Sequence, residues 1–179
     1  MPGYSALVVV VPEADQALGR LRQRLDPTAR DGMAAHVTVV APFAPPAELT
    51  APVLDRLEAI FAGLDPFDVV FPRVGWFDRR VVYLAPEPRA PLVEMTGRVV
   101  SAFPAYPPYG GQFDEVVPHC TVGEGGLRAR LGLEWAAWRA ERRLPVRSRV
   151  AAVELMTIGE GPSRWETVRV FALGGGRSG

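Results

Sequence analysis

The sequence has no lysine, no asparagine, one cysteine and two histidines in 179 residues. Each shortage removes a chemistry. Without lysine there is no Schiff base, no amine nucleophile and no P-loop lysine. A lone Cys120 cannot form an intramolecular disulfide or a cysteine-based zinc knuckle. Two histidines cannot supply an all-histidine three-ligand metal centre, so any imidazole chemistry rests on His36 and His119. Excess charge of one sign is also missing: 20 arginines balance 20 acidic residues, for a formal net charge of zero. A protein that coats nucleic acid non-specifically needs clustered excess cation. The all-arginine basic set reads as a compositional bias of the coding sequence rather than an arginine-specific function. Long hydrophobic runs are absent too. The N-terminal Met1-Pro2-Gly3-Tyr4 carries no basic region, and the apolar run over residues 6–11 is too short for a secretory signal. Nothing approaches the roughly 20 apolar residues of a membrane span. The expectation is a cytoplasmic protein that does not enter a membrane.

What is present suits a packed core, with 48% apolar residues. The length suits one domain, expected over residues 1–173, with a flexible tail over 174–179. Residues 6–11 read as a buried strand. Leu18, Leu21 and Leu25 mark an amphipathic helix over 13–25 that Asp26-Pro27 breaks. A second apolar run, 35–41, holds His36 and Thr38. A second helix is expected over 47–64 and a third over 92–103. Strands over 67–77 and 80–84 form a hairpin about Asp78-Arg79. The aperiodic stretch 104–117, containing Tyr109-Gly110-Gly111, is long enough to be a functional loop. The run 118–123 holds His119 and Thr121. A fourth helix spans 127–144, with Trp135 and Trp138 at helical spacing and expected to include a core face. Strands over 146–158 and 165–173 close the chain. Strands joined by short turns and mixed with helices indicate an α+β fold with mainly antiparallel sheet.

Both histidines sit in one local pattern: His36-Val37-Thr38-Val39 and His119-Cys120-Thr121-Val122. Thr is scarce in this chain, so two such matches arise by chance on the order of once in several hundred. The pattern reads as an internal repeat. In a strand, residues i and i+2 share a face, so each histidine projects beside its threonine while Val37, Val39, Cys120 and Val122 turn to the core. Side by side, the two strands would bring two imidazoles and two hydroxyls together. In-line displacement at phosphorus needs a base on the attacking oxygen and an acid on the leaving oxygen. Two imidazoles supply both near neutral pH. Threonine hydroxyls donate to the non-bridging oxygens without adding a cation beside the imidazoles.

These paired motifs resemble the 2H phosphoesterase superfamily, the 2′-5′ RNA ligase-like and cyclic phosphodiesterase-like proteins. The flanking segments add to the likeness: Ala34-Ala35 before the first motif and Val40-Ala41-Pro42-Phe43 after it, Val74-Gly75-Trp76-Phe77, and Pro107-Pro108-Tyr109-Gly110-Gly111 ahead of Pro118-His119. The likeness runs from Ala6 to about Leu173. It implies an α+β fold of two pseudo-symmetric lobes, mainly antiparallel sheet with outer helices, and an active-site cleft between them. It implies metal-independent chemistry on 2′,3′-cyclic phosphates or 2′-5′ phosphodiester bonds of nucleotides or RNA ends, including reversible 2′-5′ ligation, with no cofactor. By similarity His36 is the general acid and His119 the general base, and Thr38 and Thr121 bind phosphate.

Other readings stay open at the level of sequence. A non-catalytic nucleotide- or RNA-binding module would keep the same cleft. For a two-histidine metal site, Asp114, Glu115 and Glu124 flank the second motif, but no ligand spacing selects them, and no metal is expected. Cys120 adjoins His119 and so faces away from it, as core filler rather than a nucleophile. Phe43, Tyr109 and Arg164 are candidates to touch substrate, by stacking or by holding a second phosphate. Trp76 and Trp165 are further candidates for stacking. Zero net charge favours a small phosphodiester, a nucleotide or an RNA end as the substrate, and nothing in the sequence marks a stable protein partner.

Overall fold

A computed structural model describes residues 3–112, 116–159 and 164–174. Strands β1 (Tyr4–Val10), β2 (His36–Val40), β3 (Phe67–Phe77), β4 (Val81–Glu87), β5 (Cys120–Glu124), β6 (Val146–Val150), β7 (Ala152–Ile158) and β8 (Glu166–Ala172) form one sheet. Its order is β6-β3-β4-β5-β2-β1-β7-β8, and every neighbouring pair is antiparallel. Outward from the β5–β2 contact, the sheet divides into β5-β4-β3-β6 and β2-β1-β7-β8. Each half carries a histidine motif at its innermost strand. The α+β, antiparallel, two-sided arrangement is the one expected.

Connectivity dictates the curvature. Strands β6 and β7 are separated by Ala151 alone, yet stand first and seventh in the order. In a flat sheet six strand spacings come to about 29 Å, whereas two peptide units reach no more than about 7 Å. The sheet must therefore curl until its β6 end comes back beside β7. The single strand expected over 146–158 is thus two, broken at Ala151. Leu7, Val37, Phe61, Phe71, Leu84, Leu155 and Phe171 belong to the main buried core.

Among the described residues five helices accompany the sheet: α1 (Pro12–Leu25), α2 (Pro27–Arg30), α3 (Ala51–Ala62), α4 (Ala90–Ala102) and α5 (Arg130–Glu141). Helix α1 packs on β5, α3 on β8, α4 on β2, and α5 on β5 and β4. Proline sets several starts, because only the first helical turn tolerates its missing N–H. Pro52 pins α3 to begin at Ala51 rather than residue 47, and residues Pro46–Glu48 form a separate 3-10 turn. Asp26-Pro27 ends α1 but also starts α2: the Asp26 carboxylate accepts from the Thr28 amide at 2.9 Å and the Thr28 hydroxyl at 2.7 Å.

Helix α5 differs from expectation. Its buried face is Leu133, Ala136, Ala137 and Ala140, and the alanines let the helix lie close to the sheet. Trp135 and Trp138 do not enter the core. They are 46% and 50% exposed, with the Arg139 and Arg142 guanidiniums over their rings at 5.5 and 4.8 Å. Among the described residues no helix is long and apolar enough to cross a membrane. The tail beyond Gly174, the Gly161-Pro162-Ser163 turn, and Asp114 and Glu115 lie outside the described residues.

Candidate active site

The two motifs meet at the centre of the sheet, where Val37 of β2 pairs with Cys120 of β5. Extending that antiparallel register by one residue sets His36 opposite Thr121 and Thr38 opposite His119. Burial repeats in both motifs: Val37, Val39, Cys120 and Val122 are buried, while both histidines and both threonines are half-buried. His119 itself stands just before β5 begins. The repeat extends to an irregularity. The β1–β2 register steps from Leu7↔Val40 to Val8↔Thr38, which leaves Val39 as an extra residue. The β4–β5 register steps from Val82↔Gly123 to Tyr83↔Thr121, which leaves Val122 extra. A bulge thus occupies the fourth position of each motif, where it re-aims the neighbouring side chains and bends the strand.

The two imidazoles are anchored alike. His36 Nδ1 lies 2.8 Å from the Ala34 carbonyl oxygen, and His119 Nδ1 lies 2.7 Å from that of Val117. A carbonyl oxygen only accepts, so each Nδ1 carries the hydrogen and each neutral ring keeps Nε2 for proton transfer. Residues diagonal across such a pair lie about 7–8 Å apart at the backbone. A phosphate held between two acceptors or donors by hydrogen bonds of about 2.8 Å needs a gap of about 8 Å. Burial pushes the His36 imidazole down to about 4, with the positive Arg22 and His119 adding to that shift. Burial also lowers His119, against its bond to the Val117 carbonyl. Both rings therefore favour the neutral form at pH 7, and a bound anion is what would load one of them with a proton.

A cleft of about 550 Å³ opens beside the second motif, with His119, Thr121 and Tyr109 in its wall. His36 and Thr38 adjoin it across the β2–β5 contact rather than lining it. The His119 ring sits among aromatics: Phe77 edge-on at 4.9 Å, Tyr83 at 5.5 Å and Tyr109 roughly parallel at 6.4 Å, centroid to centroid. Gly75 makes this possible. It pairs with Tyr83, and a Cβ there would come within 2.4 Å of the tyrosine ring. Tyr109 lines the same cleft, with φ of +52° and its amide bonded to the Ala41 carbonyl at 2.9 Å. Phe77 and Tyr83 were not legible as site residues, because their role depends on the β3–β4 hairpin register.

Other expected contacts fall elsewhere. Phe43 is 3% exposed and packs against Phe103 and Tyr106 at 5.3 and 5.1 Å, so it is core. Trp165 is buried against Tyr4. Arg164 is exposed and lies over Gly32 of the α2–β2 connection, outside the cleft wall. Burial pushes the Cys120 thiol up to about 12, in keeping with core filler. Among the described residues no group of three or more His, Cys, Asp or Glu side chains is arranged to hold a metal ion.

Behind the motifs lies a feature the sequence reading missed. Arg22 of α1 is 2% exposed. Its guanidinium donates to Asp15 at 2.7 Å, to Asp26 at 2.8 Å and to the Thr121 carbonyl at 3.1 Å. The other Asp15 oxygen accepts from the Ala35 amide at 2.6 Å. One buried cation thereby ties the residue before His36 to Thr121. Burial alone would lower the Arg22 pKa, but the Asp26 carboxylate, the Cys120 sulfur and Asp15 hold it above its ordinary value. The available signal was an arginine on the apolar stripe of α1, beside Leu18 and Leu21, with Asp26 four residues on.

Solved structures share this fold along nearly its whole length. E. coli LigT complexed with 3′-AMP matches at 17% identity and a TM-score of 0.60, covering 97% of this chain and 99% of that one. E. coli LigT complexed with NADP+ matches at 19% identity and 0.59, covering 96% and 98%. TT0787 of Thermus thermophilus matches at 17% identity and 0.62, covering 96% and 98%. No curated protein matches the chain in sequence. The sequence profile of the 2′-5′ RNA ligase superfamily matches residues 10–162. With that match spanning most of the chain and both motifs, the protein belongs to the 2′-5′ RNA ligase superfamily.

Proposed function

We propose that the protein is a metal-independent phosphoesterase that opens 2′,3′-cyclic phosphates, or cleaves 2′-5′ phosphodiester bonds, in nucleotides or RNA ends. The observation that carries this is the symmetric pairing of His36/Thr121 with Thr38/His119 across antiparallel strands, with both Nδ1 atoms anchored. Family membership supports phosphoesterase or RNA ligase chemistry. LigT structures with 3′-AMP, NADP+ and ATP support a nucleotide-sized ligand.

In the proposed reaction His119 Nε2 takes a proton from water as the water oxygen bonds to phosphorus. The bond from phosphorus to one ribose oxygen breaks, and His36 Nε2–H protonates that oxygen. Thr38 and Thr121 donate to the non-bridging oxygens. With a ribose hydroxyl in place of water the same steps form a phosphodiester, and the roles exchange in reverse. The depressed His36 pKa suits a proton donor, which gives its proton up readily once the bound phosphate has loaded it.

The test is turnover of a nucleoside 2′,3′-cyclic phosphate and a 2′-5′ dinucleotide in EDTA, followed by phosphorus NMR. Appearance of one phosphomonoester is expected. Tight binding without turnover would favour the binding-module reading, and loss of turnover in EDTA would favour a metal enzyme. Thr38→Val should raise KM for the cyclic phosphate about 10- to 100-fold, the loss of one hydrogen bond to a charged group. An unchanged KM and kcat would remove Thr38 from the phosphate site.

A further inference from the structure

The catalytic cleft does not end at its own wall. Trp76 lines it and also lines a second groove of about 320 Å³, whose other walls are Arg79, Arg130 and Glu134. The indole is 36% exposed. It stands at the tip of the β3–β4 hairpin, one residue from Phe77, whose ring touches that of His119.

The turn that follows is unusual. Arg80 donates its amide to the Phe77 carbonyl at 2.8 Å. The two residues between them, Asp78 and Arg79, both have positive φ, 46° and 55°. Glycine, asparagine and aspartate are the usual occupants of such positions, so Asp78 suits its place and Arg79 is the residue that strains the backbone. Strain of this kind concentrates at functional sites. Here it holds Arg79 on the outer side of Trp76.

Charge is distributed unevenly across the indole. Inside the cleft, Arg80 shares the wall with Asp78 and Glu124. In the outer groove Glu134 already holds Arg130 at 2.9 Å. Arg79 has no carboxylate partner among the described residues and leaves that groove net positive. A flat aromatic between the reacting centre and such a guanidinium matches the order of groups along a nucleic-acid strand. There, base and backbone phosphate follow the terminal nucleotide.

We propose that Trp76 and Arg79, flanked by Arg130, form a subsite for the second nucleotide of an RNA end. The base of that second nucleotide stacks on Trp76, and the phosphate beyond it pairs with Arg79. This rests on the reading of the cleft as a phosphate site. It extends that reading by making a single-stranded oligonucleotide, rather than a mononucleotide, the preferred ligand. Base–aromatic stacking and one phosphate contact together suit a preference of about tenfold or more.

The test compares dissociation constants for a 3′-phosphorylated mononucleotide and a 3′-phosphorylated tetranucleotide, measured by calorimetry without turnover. Wild type should bind the tetranucleotide at least tenfold tighter. Trp76→Ala and Arg79→Gln should each cut that ratio severalfold or more, and Trp76→Phe should keep most of it. Raising the salt concentration should shrink the ratio in wild type more than in Arg79→Gln. Equal affinity for the two ligands in wild type, or a ratio the variants leave unchanged, would overturn the proposal. A preserved ratio in wild type with no turnover of any cyclic phosphate would count against the hydrolase and leave the subsite standing.

Discussion

His36→Ala and His119→Ala are each expected to lower kcat for a cyclic phosphate by about 10²–10⁴-fold, the usual contribution of a placed acid or base. Both rings are half-buried, and each makes one anchoring bond through Nδ1 to a carbonyl. Neither ring is part of the fully buried core, so far-UV circular dichroism and Tm should change little. The two act on one displacement, so their losses should not multiply. The double variant should be about as slow as the slower single one, as expected for groups that work as a unit. Near wild-type kcat in either single variant would break the pair.

Arg22→Met is expected to destabilise the fold by about 3–5 kcal/mol, the range seen when one partner of a buried ion pair is removed. Most of that comes from Asp26, which is 1% exposed and would be left as a buried carboxylate without its cation. Arg22→Lys keeps the charge but not the fork that reaches Asp15, Asp26 and the Thr121 carbonyl together. It should recover only part of the loss. Arg22→Met combined with Asp26→Leu removes both charges and should be more stable than Arg22→Met alone. Urea unfolding measures all three. A loss below about 1 kcal/mol for Arg22→Met, the scale of a surface pair, would contradict a structural role for the network. The protein that remains folded should also turn over more slowly, because the network fixes both Ala35, which leads into His36, and Thr121.

The candidate site was legible in the sequence to the extent that it is local. A histidine and a threonine two apart on a strand share a face whatever the strand pairs with, so His36, Thr38, His119 and Thr121 stood out. The hairpin about Asp78-Arg79 was legible for the same reason, since turn chemistry and alternation are short-range. Pairing across distance was not. Arg22 is one of 20 arginines, and only the approach of α1 to β5 shows why it is buried. Phe77 and Tyr83 needed the register opposite Gly75. Phe43 and the tryptophans of α5 were misread because an aromatic side chain fits a core and a binding face equally well. Which one it meets depends on where alanines let a helix approach. The break at Ala151 follows from the curl of the whole sheet, which no local window contains.

The central claim is that one proton, shared between two imidazoles, drives displacement at a phosphate held between them. The dependence of kcat/KM on pH tests it most directly, because that ratio titrates the free protein. Burial places His36 at about 4 and His119 below its ordinary 6.5. The expected profile is therefore a bell with its acid limb near pH 4 and its alkaline limb below about 6.5, the two apparent values belonging to the pair. The kcat profile should shift to higher pH, since bound phosphate favours the imidazolium. A kcat/KM that stays flat from about pH 4 to 8 would contradict paired-imidazole catalysis.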